Sequence, residues 1–502
     1  MRFQGIKSTV ARPKALTVSL ENPVHLIDEQ INSFGPHLSK FYIRLLLLIG
    51  VSWAIQAAEL VLLIFTRVLV TQEIKMGTQV HEICGVGILI GSTAGGPIFG
   101  HVADKFGRRA ALIIAMIFSL AGLAISSCVN VEYMLILGLV IIGFGYGGQL
   151  ASTFILIHEL TPRSMSCRIV ALLNAFTGFG GLLGVVLTYA VAPQLGWRTT
   201  YLLTSGLVLY AFVLYFMVLE SPRWLASVGR TKEAFNIVKD IEQSGSRMLI
   251  GNDAQKAALH SISVQNLSAT MMKSSQPQQP TPTLVLWILW ITMTVSSYTL
   301  GVYFPTLISL NGYNIFTSWT TTSALKIAQV VGSVTAATVL DAYGSHRCFV
   351  VFASLAATLS IVLSYMAWWP AVVIFFLFIV TALLSAGWSC VLAYTPIHYE
   401  LTHRGSKMGY AIGVSHLAAV GGRYLYPYMF NIWTLSVSML CWISGGLLVI
   451  VAITIGVAPK FGYRPLAQED DDSLCTLSLN SDLENMSTPN IEILDEKSVM
   501  TM

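Results

Sequence analysis

Twelve stretches of about twenty apolar residues recur along this chain, each long enough to cross a hydrocarbon layer about 30 Å thick, and no other feature limits its fold so strongly. The cleanest are AALIIAMIFSLAGLAISSCV (110–129) and TYLLTSGLVLYAFVLYFMVL (200–219). The set runs 43–68, 80–100, 109–129, 133–158, 168–193 and 200–219; after a polar stretch of about 65 residues it resumes at 284–308, 318–340, 348–368, 371–395, 406–430 and 433–457. The pattern predicts an all-α integral membrane protein whose twelve transmembrane helices form two pseudo-symmetric six-helix lobes. Residues 1–40 read as a polar cytoplasmic N-terminal tail, 41–220 as the first lobe and 221–282 as a central cytoplasmic loop with short helices. Residues 283–458 then read as the second lobe, and 459–502, opening with QEDDDS, as a disordered acidic cytoplasmic tail.

Composition agrees. Of 502 residues only 11% are charged, against roughly 25% in a soluble domain, and the mean hydropathy is +0.68. Orientation follows from the basic residues. With the N-terminus in the cytoplasm, 24 of the 29 Lys and Arg fall on the cytoplasmic side; Arg67, Lys75 and Arg198 fall outside, and Lys326 and Arg423 lie within the membrane. Both termini are then cytoplasmic, as are the glycosylation-like triplets at Asn266 and Asn485. A net charge of +4 spread over loops forms no nucleic-acid-binding face. The scattered cysteines suggest neither a disulfide framework nor a metal site. Residues 1–40 hold no apolar core followed by a cleavage site, so the first membrane helix is expected to do the targeting.

Charge concentrates in GHVADKFGRR (100–109), between the second and third spans. Anionic headgroups attract Arg108 and Arg109 by about 1 kcal/mol each, which offsets the unfavourable helix dipole of about 0.3–1 kcal/mol. In the second half, ATVLDAYGSHR (337–347) repeats the turn, with Asp341 and Gly344 keeping the spacing of Asp104 and Gly107. GHVADKFGRR resembles the signature loop of the major facilitator superfamily, Gly-x-x-x-Asp-x-x-Gly-Arg-Arg, and residues 41–466 fit that family's six-plus-six plan. GWRTTYLL (196–203), ESPRWLASVGRTKEA (220–234), TLVLWILWITMTVSSYTLGVYFPTLI (283–308) and FGYRPL (461–466) are similar to its branch of synaptic-vesicle-glycoprotein-like proteins, niacin transporters and organic-ion transporters. The resemblance implies gating roles for Gly100, Asp104, Gly107, Arg108, Arg109, Glu159, Arg168, Glu220, Arg223, Asp341, Gly344 and Arg404. It implies in particular that Asp104 closes the cytoplasmic face against the N-terminal end of a second-lobe helix.

The chain departs from that pattern in places. Its first external loop (69–80) and the loop at 309–317 are short, and TVSSYTLGVYF has no glutamine where sugar porters have a glutamine-rich motif. ELTPRSMSCR puts Arg168 two places late, and Ile397 stands where the family has Glu. In ESPRWLASVGR, Ser221 suits an N-cap, Pro222 the first helical position and Gly229 a stop, with Trp224 and Leu225 expected on the membrane interface. A second cytoplasmic helix is expected over 231–245, with Ala234, Phe235, Val238 and Ile241 on one face. The clusters GVGILIGSTAGG, GFGYGG and GFGGLLG lie within apolar spans, where they serve close helix packing rather than nucleotide binding. No cofactor motif and no paired acid–base constellation appears, so an enzyme is not expected.

Ionisable residues inside a membrane are costly and usually functional. At about 1.5 Å per residue, Glu59, Lys326 and Arg423 lie about 22–24 Å from the cytoplasmic end of their helices and His416 about 14 Å. Glu59 sits in WAIQAAEL, similar to the family's Trp-x-x-Asp-x-x-Glu, but with Gln56 at the Asp position. Glu59, Gln56, Lys326, His416 and Arg423 are the candidate substrate and proton pathway, and Gln149, Tyr298 and Trp388 candidate cavity liners. Glu59 with Lys326 as a structural ion bridge is the alternative. The expectation is a secondary transporter of a small organic anion such as a carboxylate, with protons as the candidate coupling ion, acting as a monomer in contact with lipid in the plasma or a vesicle membrane. The alternatives are an organic-cation or sugar transporter of the same fold and a non-transporting membrane binding or trafficking protein.

Overall fold

The computed structural model describes residues 23–35, 37–74, 78–246, 283–300, 319–366, 370–433 and 437–457. These residues form helices and turns only, with no strand among them, as expected where the hydrocarbon offers backbone groups no partner but their own helix. The helices are α1 (Pro23–Asn32), α2 (Lys40–Ile74), α3 (Thr78–Phe106), α4 (Arg108–Ser127), α5 (Glu132–Leu160), α6 (Arg163–Leu195) and α7 (Trp197–Met217). Two short ones follow, α8 (Pro222–Ser227) and α9 (Thr231–Ser246). The rest are α10 (Thr283–Tyr298), α11 (Trp319–Tyr343), α12 (Ser345–Met366), α13 (Pro370–Ile397), α14 (Arg404–Trp433) and α15 (Val437–Val457). All but α1, α8 and α9 follow the twelve expected spans in order. The first external loop is shorter still than expected, because α2 continues to Ile74. Its Glu73 is held by Trp197 Nε1, which donates at 2.5 Å, and by an ion pair with Arg198 at the start of α7.

Glycines set how closely the helices approach. A Cβ on Gly91 would lie 2.0 Å from the Val140 carbonyl oxygen and one on Gly143 2.0 Å from that of Ile88, so α3 and α5 touch backbone to backbone. On α6 the cluster GFGGLLG serves two neighbours. A Cβ on Gly180 would lie 2.0 Å from the Ala54 carbonyl oxygen of α2, whereas Gly178 and Gly181 face Val330 and the Lys326 stem of α11. The two lobes meet in the same way where α3 crosses α14: a Cβ on Gly100 would come within 2.4 Å of the Gly405 oxygen, and one on Gly405 within 2.5 Å of the Gly100 oxygen. Small residues buy this proximity, which dispersion and short polar bridges then exploit.

The segment read as a tail contains α1. Its Val24, Ile27 and Ile31 carry a helical repeat that the sequence reading passed over. Ile27 and Ile31 have no exposed surface and pack with Trp224, Leu225, Ala226, Ala234 and Val238. Trp224 and Leu225 therefore face α1, not the membrane interface, and Trp224 Nε1 donates to the Asp104 carbonyl at 2.9 Å. The N-cap of α8 is as expected, with Ser221 Oγ accepting from the Trp224 amide at 3.1 Å. On α9, Ala234, Val238 and Ile241 are buried but Phe235 is exposed, because i, i+4, i+7 already fills the contact stripe. The tails at 1–22 and 458–502 and the stretch 247–282 lie outside the described residues.

Gly180→Ala tests the packing account. Overpacking a filled contact costs about 1–3 kcal/mol, so the variant should melt below the parent in detergent, whereas Gly206→Ala, where nothing lies within reach of the new methyl, should lack that overpacking penalty.

Candidate gating and substrate site

At the end of the bundle bearing GHVADKFGRR, the turn between α3 and α4 is made by Gly107, whose φ of 108° is costly for other residues. A side chain there would also strike Glu220, whose Oε2 would be 2.3 Å from the Cβ. Glu220 caps α4 by accepting the amides of Arg108 (2.8 Å) and Arg109 (3.1 Å), and it also accepts that of Ser221 (3.0 Å). It thus neutralises the helix dipole expected to oppose the two arginines. Burial pushes the Glu220 carboxyl above its usual range, partly opposed by these N–H donors.

Arg108 is fully buried and does not reach headgroups. Its Nε donates to Glu159 Oε2 at 3.1 Å, and its Nη1 and Nη2 donate to the carbonyls of Ala103 and Leu401, both at 2.8 Å. Glu159, also without exposed surface, accepts in addition from Ser221 Oγ at 2.6 Å and from Arg404 Nη1 of the second lobe at 3.0 Å. Asp104 takes the N-terminal end of α14. It accepts the amides of Gly405 (2.9 Å) and Ser406 (2.8 Å) and the Ser406 hydroxyl (2.5 Å), and it lies 3.4 Å from Arg108. Arg109 turns outward, donating to the Val218 carbonyl and lying 5.0 Å from the Tyr215 ring centre. The pseudo-equivalent turn at Gly344 also has positive φ, 77°. There Asp341 of α11 pairs with Arg168 of α6 at 2.9 Å, so the late arginine still reaches the other lobe. Arg223 lies behind Glu159 and closes the end of α5, donating to the carbonyls of His158, Glu159 and Thr161 at 3.0–3.1 Å.

Within the membrane the structure separates residues that the sequence grouped. Glu59 is fully buried inside the first lobe, where its Oε2 accepts from Ser119 Oγ of α4 at 2.7 Å and from Gln56 Nε2 at 3.0 Å. No ion bridge to Lys326 forms. Lys326 instead lays its stem on Gly181, and its Nζ donates to Gln329 Oε1 at 3.4 Å. Among the described residues it has no carboxylate in ion-pair range. His416 is buried, with Nδ1 2.9 Å from the Ile412 carbonyl, and stands edge-on to Tyr146, which stacks on Trp53. Trp388 packs on Trp290 and donates to Ser297 Oγ at 2.8 Å. Tyr298, half-buried, ends α10, and Gln149 is buried in α5. The Arg423 side chain lies outside the described residues.

The sequence reading missed a neutral seam between the lobes. Asn174 Nδ2 of α6 lies 3.1 Å from Ser333 Oγ of α11, 3.1 Å from Ser389 Oγ and 3.2 Å from the Ser385 carbonyl of α13. Its Oδ1 accepts from Thr177, which in turn accepts from Trp53 Nε1 at 2.8 Å. The seam runs on through Ser385 Oγ, which donates to the Gln329 carbonyl at 2.8 Å, and so ends beside Lys326. Only the lone Asn within LLNAFTGFGG could have drawn attention to it.

A sequence model described as Major Facilitator Superfamily matches residues 45–422. The chain is 26% identical over 398 residues to a niacin transporter of Acinetobacter baylyi, covering 78% of this chain and 88% of that protein. It is 24% identical over 421 residues to a synaptic vesicle 2-related protein of Xenopus laevis, covering 79% and 74%. Among solved structures it is similar to a proton:xylose symporter at TM-score 0.64 and 19% identity, covering 82% of this chain and 94% of that one. It is also similar to a human organic anion transporter at TM-score 0.60 and 11% identity, covering 82% and 99%.

Breaking a buried ion pair by removing one partner costs about 3–5 kcal/mol. Glu159→Gln, which leaves Arg108 and Arg404 facing a neutral amide, should lower the melting temperature and folded yield sharply, whereas Arg109→Gln at the rim should leave both near parental values.

Proposed function

This chain belongs to the major facilitator superfamily, and we propose that it moves a small organic anion, a carboxylate, across its membrane by alternating access of a midplane site between two lobes. The observation that carries the anion reading is Lys326: a cation inside the bundle, beside the inter-lobe seam, with Gln329 as its hydrogen-bond partner and no carboxylate in ion-pair range among the described residues. An uncompensated charge at that depth is expensive, and a substrate carboxylate would relieve it. A cation reading would need Glu59 as its anchor, and that carboxylate is enclosed by Ser119 and Gln56 within one lobe. The similarity to a niacin transporter points the same way, since niacin is itself a carboxylic acid.

The basic end, cytoplasmic in the orientation derived from the loops, is the gate closed in this conformation. Asp104 on α14 and Asp341 with Arg168 are its two latches. Opening that end requires α3 and α14 to part at Gly100 and Gly405. Protons are the proposed coupling ion, through Glu59 or His416.

Uptake of labelled carboxylates, amines and sugars by proteoliposomes, with and without a pH gradient, tests the class. Lys326→Gln should weaken carboxylate uptake by on the order of tenfold or more, the loss of one charge-assisted hydrogen bond; retained carboxylate affinity or improved amine uptake would rule the anion out. Asp104→Asn should slow flux and raise thiol-reagent labelling, from the cytoplasmic side, of a cysteine introduced in place of Ser333 in the seam, and unchanged flux and labelling in a normally folded variant would remove its gating role.

A further inference from the structure

Helix α1 precedes the matched family region, which begins at residue 45, yet it is bound to the gate by specific bonds. Asp28 Oδ1 accepts from Arg223 Nε at 2.8 Å, and Asp28 Oδ2 from Arg163 Nη2 at 2.5 Å. One turn on, Asn32 Oδ1 accepts the Arg163 amide at 3.0 Å and Arg223 Nη2 at 3.4 Å. The buried Ile27 and Ile31 fix the helix against α8 and α9, so Asp28 is held in place by packing.

The charges around Glu159 show what this carboxylate does. Three largely buried guanidinium groups, Arg108, Arg223 and Arg404, surround Glu159. Both Glu159 oxygens are occupied, Oε1 by Arg404 and Oε2 by Arg108 and Ser221. Asp104 is committed to α14 and Glu220 to the first turn of α4. The carboxylate paired with Arg223 is Asp28. A buried guanidinium deprived of its partner seeks another, and Arg223 already donates to the Glu159 backbone carbonyl at 3.1 Å.

We infer that Asp28 is a positioning residue of the gate: by engaging Arg223 it reserves the Glu159 carboxylate for Arg404 of the second lobe and so stabilises the closed cytoplasmic end. The inference rests on the alternating-access reading above. Without Asp28, Arg223 competes for Glu159, the bond to Arg404 weakens, and the closed state loses population while each lobe keeps its fold.

The test reads the conformational equilibrium without substrate. Spin labels on cysteines replacing Phe106 and Thr402, both exposed at the gate end of opposite lobes, report its opening in lipid nanodiscs. Asp28→Asn should raise the open-to-closed ratio by on the order of tenfold, the loss of one charge-assisted bond, whereas Asp28→Glu should restore the parental ratio. Asp104→Asn serves as the control. If it opens the gate and a folded Asp28→Asn does not, this inference falls and the gating reading stands; if neither variant shifts the distances, the gating reading fails as well. Should Asp28→Asn fold poorly, Asn32→Ala, which removes the weaker bond to Arg223 together with that to the Arg163 amide and leaves the apolar contacts of α1, is expected to shift the ratio in the same direction, and an unchanged ratio in that folded variant overturns the inference.

Discussion

Glu159 is a carboxylate with no exposed surface that accepts from Arg108 and Ser221 of its own lobe and from Arg404 of the other. Removing such a charge from water is paid back only when geometry and hydrogen bonding are both complete, which dictates most of what surrounds it. Arg108 must start α4 and point inward, so the turn before it has to be tight, and Gly107 makes it so. The helix end that would repel Arg108 must be neutralised, and Glu220 does this through the backbone. Arg223 must fasten the end of α5 on which Glu159 stands. The cluster is thus one electrostatic unit, not a row of separate contacts.

That unit works only because the backbones are close. Aspartate is short, and Asp104 reaches two α14 amides because Gly100 and Gly405 let the helices cross in contact. The same geometry operates at mid-depth. Gly178 and Gly181 bring α11 onto α6, which lets the short side chains of Asn174, Ser333, Ser385 and Ser389 bridge the lobes. Bulkier residues at the glycines would push the helices apart and leave these polar groups unpaired in a dry interior, a cost of about 1–3 kcal/mol for each.

Hydropathy alone gives the twelve spans, because each must satisfy its own backbone in hydrocarbon. The turn glycines and the aspartates beside them were readable from spacing. Partner choice was not. Headgroup attraction is enough to account for Arg108 in the sequence, and only three-dimensional contact reveals its burial against Glu159. Glu59 and Lys326 lie at similar depth, which left an ion bridge between them as the alternative to a shared pathway, but depth says nothing of the direction a helix face points, and Ser119 and Gln329 take them separately. Helix α1 was overlooked because its apolar repeat is three residues long within a polar stretch. The Asn174 seam carries no charge, so nothing in composition marked it.

The two inter-lobe polar contacts, Asp104 on α14 and Asp341 with Arg168, differ in kind, and the sequence difference between the halves shows why. In the second half Ser345 occupies the place that Arg108 holds after its turn glycine, and Ile397 stands where a glutamate would match Glu159. Both members of the buried pair are absent together, as the physics requires, since either one alone would be an uncompensated interior charge. What remains there is Asp341 with Arg168, an ion pair whose side chains are 26% and 31% exposed. Partly open to solvent, such a pair is screened more than the dry cluster around Glu159, where removing one partner costs about 3–5 kcal/mol. In the alternating-access cycle proposed above, the larger share of the cost of opening this end therefore falls at α3, α5 and α14. On that reading, opening depends on whichever groups hold the Glu159 carboxylate in competition with Arg404.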